Sequence, residues 1–100
     1  MSKAVRTALA HTRAPVEARL VLAILAAHAN KDLLAWPGAD TIALLAGVCE
    51  RTVRRHIRTL KDLGELRVIR RGVAGKATNV YRLDVLVEDF EVIDPYDTRT

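Results

Sequence analysis

The sequence predicts one small α+β domain, mainly helical, with three main helices and a two- to three-stranded antiparallel sheet. Apolar residues recur at helical spacing over 16–30, 39–46 and 50–63, and strand-like alternation follows over 65–71 and 79–83. A glycine-containing loop separates the two strands, as in a hairpin. With 100 residues, half of them apolar, the chain is long enough for one domain around one core.

Several classes of protein are excluded by what the chain contains. Cys49 is the single cysteine, so we expect neither an internal disulfide nor a cysteine-rich zinc site, and a reducing cytoplasm fits best. The longest nearly continuous apolar run is Leu20–Ala27, whereas a membrane span needs about 20 residues. No secretory signal is visible at the N-terminus. We therefore predict a cytoplasmic protein without a membrane segment.

Charge is distributed unevenly along the chain. The net charge is +4, and ten of the sixteen lysines and arginines lie in residues 36–83. Six of the twelve acidic residues lie in residues 84–100, where Arg99 is the one basic residue. A basic body with an acidic tail indicates a polyanionic partner, either nucleic acid or an anionic membrane surface.

The first half of the chain is expected to contribute mainly to the core of the domain. Residues 1–13 form either a short helix or a loose arm, and Pro15 is suited to the first position of the next helix. In that helix we expect one main apolar stripe, which the neighbouring apolar residues broaden. Trp36, just before Pro37, is expected to be a core anchor, because the chain has few aromatic residues. The stripe consists of Val16, Leu20, Ile24 and Ala27, broadened by Val21, Leu22 and Leu25.

The next helix, over 39–46, should end at Gly47, which can adopt a positive φ. Its inward residues are expected to be Ala39, Ile42, Ala43 and Ala46. Cys49 then takes the position of a helix N-cap, where serine or threonine is preferred.

The helix over 50–63 has two contrasting sides. Val53, Ile57 and Leu60 form one apolar stripe. At 100° per residue, Arg51, Arg55 and Arg58 fall within about 40° of the opposite pole. Arg54 and Lys61 flank this basic pole on one side and Thr52 on the other, while His56 borders the stripe as a packing residue.

A basic hairpin and an acidic tail complete the chain. The loop over 72–78 carries Lys76 near its tip, and Arg71 lies at its base. We therefore divide the chain into residues 1–13, a domain over 14–84, and an acidic tail over 85–100. The tail has three interpretations: a solvated segment, part of an interface, or an intramolecular competitor for the basic helix.

The order helix, short strand, helix, glycine turn, helix and basic hairpin is that of a winged helix-turn-helix. Residues 9–83 resemble the winged helix-turn-helix domains of actinobacterial plasmid, phage and chromosomal regulators and replication initiators. Two departures stand out: Gly38 and Cys49 replace the usual serine caps, and Leu44 and Leu45 replace polar residues, so that at least one leucine is expected to be exposed. The resemblance is carried by L-A-H-T-R-A (9–14), R-L-V-L-A-I-L-A-A-H-A-N (19–30), A-W-P-G-A-D-T-I-A (35–43), G-V-C-E-R-T-V-R-R-H-I-R-T-L (47–60), L-G-E-L (63–66) and N-V-Y-R-L (79–83).

The resemblance implies that 50–63 is the recognition helix, and the size of the major groove independently suits a helix. Arg51 and Arg55 are then candidates for guanine, and Thr52 for a thymine methyl or a phosphate. The phosphate candidates on the helix are Arg54, Arg58 and Lys61. On the wing, which is the hairpin loop over 72–78, Lys76 with the help of Arg71 would reach the flanking minor groove or the phosphates.

The expected function is therefore sequence-specific binding of double-stranded DNA by a transcriptional regulator, and the resemblance includes regulators encoded on mobile elements. An origin-binding replication or partition factor would use the same domain. A protein-interaction module would instead use Leu44, Leu45 and the tail, and the arginines would then serve as solubilising charge. We expect a homodimer through the N-terminal arm or the tail, and neither an enzyme, a cofactor nor a metal site, because no catalytic or metal-ligand spacing is present.

Overall fold

The computed structural model describes residues 2–72 and 78–87. Within this part the helices are α1 (Lys3–His11), α2 (Val16–His28), α3 (Ala39–Ala46) and α4 (Glu50–Asp62). The strands are β1 (Leu34–Ala35), β2 (Arg67–Arg70) and β3 (Val80–Arg82), and a 3₁₀ helix follows at Asp84–Leu86. None of the described helices is long and apolar enough to cross a membrane.

The strands form one antiparallel sheet in the order β1-β3-β2. Ala35 and Val68 both lie opposite Tyr81, and Arg70 lies opposite Val80. A register shift between Val68 and Arg70 leaves Ile69 at a β-bulge. Mainly helical with a small antiparallel sheet, the arrangement fits the predicted winged helix-turn-helix fold. The 73–77 loop, including Lys76, lies outside the described residues.

The core lies between α2, α3 and α4 and is closed by the inner face of the sheet. Its largest fully buried apolar side chains are Leu22, Leu25, Ile42, Leu60 and Leu83. Helix α1 also contributes to this core, because it packs against α2 and the 3₁₀ helix. Ala8 of α1 and Val85 of the 3₁₀ helix are fully buried.

Two expectations about the core are wrong. The stripe of α2 is displaced: Val16 is 78% exposed, Leu20 is 48% exposed and Ala27 is also exposed. Ile24 of the predicted stripe is buried, as are the broadening residues Val21, Leu22 and Leu25, and the buried face also includes Ala18 and Ala26. These residues also recur at helical spacing, and α2 turns this alanine-containing side inward because it allows close packing against α1 and α4.

Trp36 is the second error, since it is 52% exposed rather than a core anchor. The buried residue of this segment is Ala35, and side chains alternate between the two faces of a strand. Trp36 therefore lies on the face of the sheet away from the core.

Glu65 is a fully buried acidic residue that is hydrogen-bonded to three separate parts of the chain. Its carboxylate accepts hydrogen bonds from the Thr12 hydroxyl and from the Arg13 backbone N–H, the latter at 2.8 Å. Its backbone N–H donates to the Leu60 carbonyl at 3.0 Å, and its carbonyl accepts from Val85 N–H at 3.1 Å. The α1–α2 connection, the end of α4 and the 3₁₀ helix are thus joined at one residue.

Candidate nucleic-acid interface

Helix α4 is set against α3 by a three-residue turn. Gly47 ends α3 with a φ of 72°, as predicted, and its N–H donates to the Ala43 carbonyl at 2.9 Å. The Val48 N–H reaches the same carbonyl at 3.1 Å. These two hydrogen bonds satisfy a backbone carbonyl at the C-terminal end of α3. The chain then turns, and α4 begins at Glu50.

The inner side of α4 is fixed by burial. Val53 and Leu60 are fully buried, and Ile57 and His56 are nearly so. This stripe is the predicted one, with His56 at its border. Anchoring on this side leaves the opposite side of α4 to solvent.

That opposite side is the basic face of α4. Its four arginines are exposed and its lysine is half-buried, while neighbouring Thr52 is half-buried. The four arginines lie within eight residues of one helix. The basic face consists of Arg51, Arg54, Arg55, Arg58 and Lys61.

One arginine of the basic face already has an acidic partner. Arg54 Nη2 lies 3.2 Å from Glu50 Oε1, one helical turn earlier. Exposed pairs of this kind contribute about 0.3–0.5 kcal/mol, so Arg54 can exchange Glu50 for another anion at small cost. Sequence reasoning did not identify this pair, although its i,i+4 spacing is a recognisable signal.

The N-caps of α3 and α4 lack conventional capping side chains, as the sequence indicates. Neither Gly38 nor Cys49 makes a side-chain cap hydrogen bond. The Cys49 Sγ instead lies 3.3 Å from Thr52 Oγ1, and this hydrogen bond lowers the pKa of the exposed Cys49 thiol from its ordinary value. Thr52, in the first turn of α4, is thus hydrogen-bonded to the N-cap residue Cys49.

A groove of about 1060 Å³ separates α4 from the start of α3 and the sheet. Arg54, Arg58 and Lys61 line it from α4, and Arg71 from the base of the wing. Its apolar lining residues include Ile57, Val68 and Tyr81. Three acidic residues that the sequence reasoning did not place there also line it: Asp40, Glu50 and Asp62.

The structure therefore sorts the predicted DNA-binding residues into groups. Arg54, Arg58, Lys61 and Arg71 share the groove, whereas Arg51, Thr52 and Arg55 do not line it. Lys76 lies outside the described residues. Both leucines flagged by the sequence are exposed, Leu44 at 81% and Leu45 at 56%.

Metal ligation finds no support in the part of the chain that the structure describes. No group of three or more His, Cys, Asp or Glu side chains there is arranged to hold a metal ion. The chemistry available at this surface is hydrogen bonding and ion pairing by guanidinium groups.

The α3–turn–α4 unit beside an antiparallel sheet defines a helix-turn-helix protein, a class of DNA-binding domains. A family model described as a helix-turn-helix domain matches residues 15–65, just over half of the chain. The chain belongs to this helix-turn-helix family. No curated protein and no solved structure matches the chain.

Proposed function

We propose that the protein binds double-stranded DNA sequence-specifically and regulates transcription. The observation that carries this proposal is the basic face of α4, which lies opposite a buried stripe on a helix of the right size for the major groove. A solvated charged surface would not require the arginines to cluster on the second helix of a helix-turn-helix unit.

The basic face offers two kinds of contact. Arg51 and Arg55, outside the groove and near the start of α4, are the proposed base-reading residues, because a guanidinium can bind guanine O6 and N7 together. Thr52 would contact a thymine methyl or a phosphate.

The groove-lining cations are proposed to hold the DNA backbone. Arg54, Arg58 and Lys61 would bind phosphates beside the recognition helix, with Arg71 and Lys76 extending the contact along the wing. Such contacts fix the position of the protein without reading sequence. If about five of them neutralise phosphates, log K should fall with log[salt] at a slope of about −4 to −5.

Fluorescence anisotropy would test this proposal with two labelled duplexes, one from the region upstream of the protein's own gene and one of random sequence, over a range of salt concentrations. We expect a steep salt slope on both duplexes and tighter binding to the upstream one. Arg51→Ala/Arg55→Ala should remove that preference. Absence of binding at low salt would refute the proposal.

A replication or partition factor would use the same surface, and the position of the bound sites separates it from a regulator. Sites at promoters support regulation, and sites clustered at an origin support replication or partition. Mapping the bound sites along the DNA that encodes the protein distinguishes the two, and an origin would support the mobile-element interpretation.

Protein interaction is a second candidate function, which the exposure of Leu44 and Leu45 favours. Exposed neighbouring leucines on a small domain are typical of contact sites. Leu44→Ser/Leu45→Ser would abolish binding to a protein partner but leave DNA affinity unchanged, and Arg51→Ala/Arg55→Ala would do the reverse.

A homodimer forms part of the proposal, because a single domain reads only a short half-site. Contacts through α1 or the tail would have to use their outer sides, since Ala8 and Val85 already pack into the core. Sedimentation with and without DNA tests this, and a monomer under both conditions would refute it. The proposed site of action is DNA of the cytoplasmic nucleoid, in a role without catalysis or cofactor.

A further inference from the structure

The outward side of the small sheet carries an apolar depression away from α4. It arises because Ala35 and Tyr81 turn inward, so that their neighbours along β1 and β3 turn outward. Ile69, pushed out at the β-bulge, is 50% exposed, and Trp36 is 52% exposed. The depression measures about 580 Å³. We call it the sheet face, and its residues are Leu34, Trp36, Ile69, Arg70, Thr78 and Val80.

Within residues 2–72 and 78–87 no helix or strand covers the sheet face. An aromatic and an aliphatic side chain, both about half exposed, lie in the same depression. Adjacent exposed apolar side chains of this size are typical of a surface that another segment covers.

Positive charge borders the sheet face. Arg70 lines it, and Arg67 and Arg82 lie opposite each other at the start of β2 and the end of β3. Both of these arginines contact the single carboxylate of Asp84, at 3.3 Å and 3.5 Å. Three guanidinium groups thus have one carboxylate between them, and an occupant with both apolar and acidic side chains would fit.

Residues 88–100 have this composition. Their sequence, E-D-F-E-V-I-D-P-Y-D-T-R-T, interleaves Phe90, Val92, Ile93 and Tyr96 with five acidic residues. The described chain reaches Val87 directly after Asp84–Leu86, where Asp84 already contacts the arginines of the sheet. Residues 88–100 can span about 40 Å when extended, whereas three strands span about 10 Å.

We propose that residues 88–100 bind the sheet face of their own chain. The apolar side chains of the segment cover Trp36 and Ile69, and its carboxylates pair with Arg67, Arg70 and Arg82. The groove beside the basic face of α4 suits this segment less well, because three acidic residues line it and its apolar residues Ile57 and Tyr81 are almost fully buried. Tethering gives an effective concentration of about 1 mM, so an intrinsic Kd below about 1 mM keeps the sheet face mostly occupied.

Trp36 is the single tryptophan of the chain and lies in the proposed site, so its fluorescence reports occupancy without a label. The test compares the full-length protein with full-length Phe90→Ser/Val92→Ser/Ile93→Ser, at low salt and without DNA. We expect the variant to show a red-shifted emission and to lose protection of Trp36 from acrylamide. Leu44→Ser/Leu45→Ser is the matched control, because it removes exposed apolar residues elsewhere and should leave Trp36 unchanged.

Two further measurements make the test decisive. A synthetic peptide of residues 88–100, added to the triple variant, should restore the shielding with a Kd below about 1 mM. Shielding should not depend on protein concentration. Equal exposure of Trp36 in the two full-length proteins overturns the proposal. Shielding that appears only as dimers form also overturns it, in favour of a second copy of the chain. Because no DNA is present, either result is independent of the proposed DNA-binding function.

Discussion

The basic face of α4 and the sheet face both lie at the surface of the described domain, yet the chain makes them in different ways. The basic face comes from one continuous helix whose other side is buried. The sheet face is assembled from β1, β2 and β3, which are separated by two helices and the wing. One surface is thus encoded by the period of a single segment, and the other exists only after distant segments meet.

The largest expected effect concerns DNA binding. Arg51→Ala/Arg55→Ala should weaken binding to the preferred duplex by about 2–6 kcal/mol, since each bidentate arginine–guanine pair contributes about 1–3 kcal/mol. Lys3→Ala/Lys31→Ala, which removes the same charge from exposed positions outside α4, should cost far less. Trp36→Ala/Ile69→Ala should leave discrimination between duplexes unchanged. The division between the two surfaces fails if anisotropy titrations show the sheet variant losing as much discrimination as the arginine variant.

The free energy of unfolding should depend strongly on the buried residues beneath α4 and weakly on the residues of the sheet face. Leu60 is fully buried beneath the basic face, and Leu60→Ala should lower the free energy of unfolding by about 2–5 kcal/mol. Ile69→Ala, at the half-exposed bulge, should change it by no more than about 0.5 kcal/mol. Urea denaturation of both variants measures the contrast. Similar losses would mean that the sheet face is part of the core.

The turn before α4 should show a smaller effect. A Cβ at Gly47 would meet nothing within 4 Å, so the cost of Gly47→Ala comes from its φ of 72° alone. We expect a loss of about 1–2 kcal/mol in the free energy of unfolding. Gly47→Asn, which tolerates this conformation better, is the control and should lose less. A neutral Gly47→Ala would show that the turn relaxes.

Within the basic face, phosphate-binding residues should differ in the salt dependence of binding. Arg58→Ala should reduce the steepness of the salt slope on a random duplex by about one unit. Arg54→Ala should weaken binding less, because Arg54 must first leave Glu50, which lies 3.2 Å away. Glu50→Gln removes that competitor and should strengthen binding. Anisotropy at several salt concentrations checks all three variants, and a larger loss for Arg54→Ala than for Arg58→Ala would contradict this order.

The smallest effect concerns Cys49, at the start of α4. The hydrogen bond with Thr52 lowers the pKa of the thiol and so stabilises the thiolate in the folded protein. Its contribution is complete above the pKa of the unfolded thiol and is lost as the pH falls through the lowered folded value. Thr52→Val should move the pH profile of iodoacetamide alkylation to higher pH.

The same thiol tests the placement of DNA. Cys49 is exposed in the free protein and precedes the basic face directly. A bound duplex should therefore slow alkylation of wild-type Cys49, and a duplex kept unbound by high salt should not. Equal rates with and without bound DNA would place the duplex away from the start of α4.

The helix-turn-helix unit could be predicted closely because its signals are local. The predicted bounds 39–46 and 50–63 agree with Ala39–Ala46 and Glu50–Asp62 to within one residue. Gly47 provides the turn, and the stripe Val53, Ile57 and Leu60 has a single helical interpretation. The buried side of α2 was harder to predict. Apolar residues occupy most of the circumference of this helix, so that periodicity did not select one side.

Local sequence patterns were enough to place the helix-turn-helix unit and the basic face, since the period of one helix assigns each side chain of α4 to the buried or the exposed side. Residues 1–13, by contrast, were compatible with either a helix or a loose arm, and the 3₁₀ helix at Asp84–Leu86 has no such pattern. The exposure of Trp36, the burial of Glu65 and the existence of the sheet face were decided only by tertiary structure. A two-residue strand such as Leu34–Ala35 has no readable period, and the face that Trp36 occupies depends on the register with Tyr81 and Val80. The partners of Glu65 lie more than fifty residues earlier, at Thr12 and Arg13, so its burial depends on long-range contacts that no local pattern records.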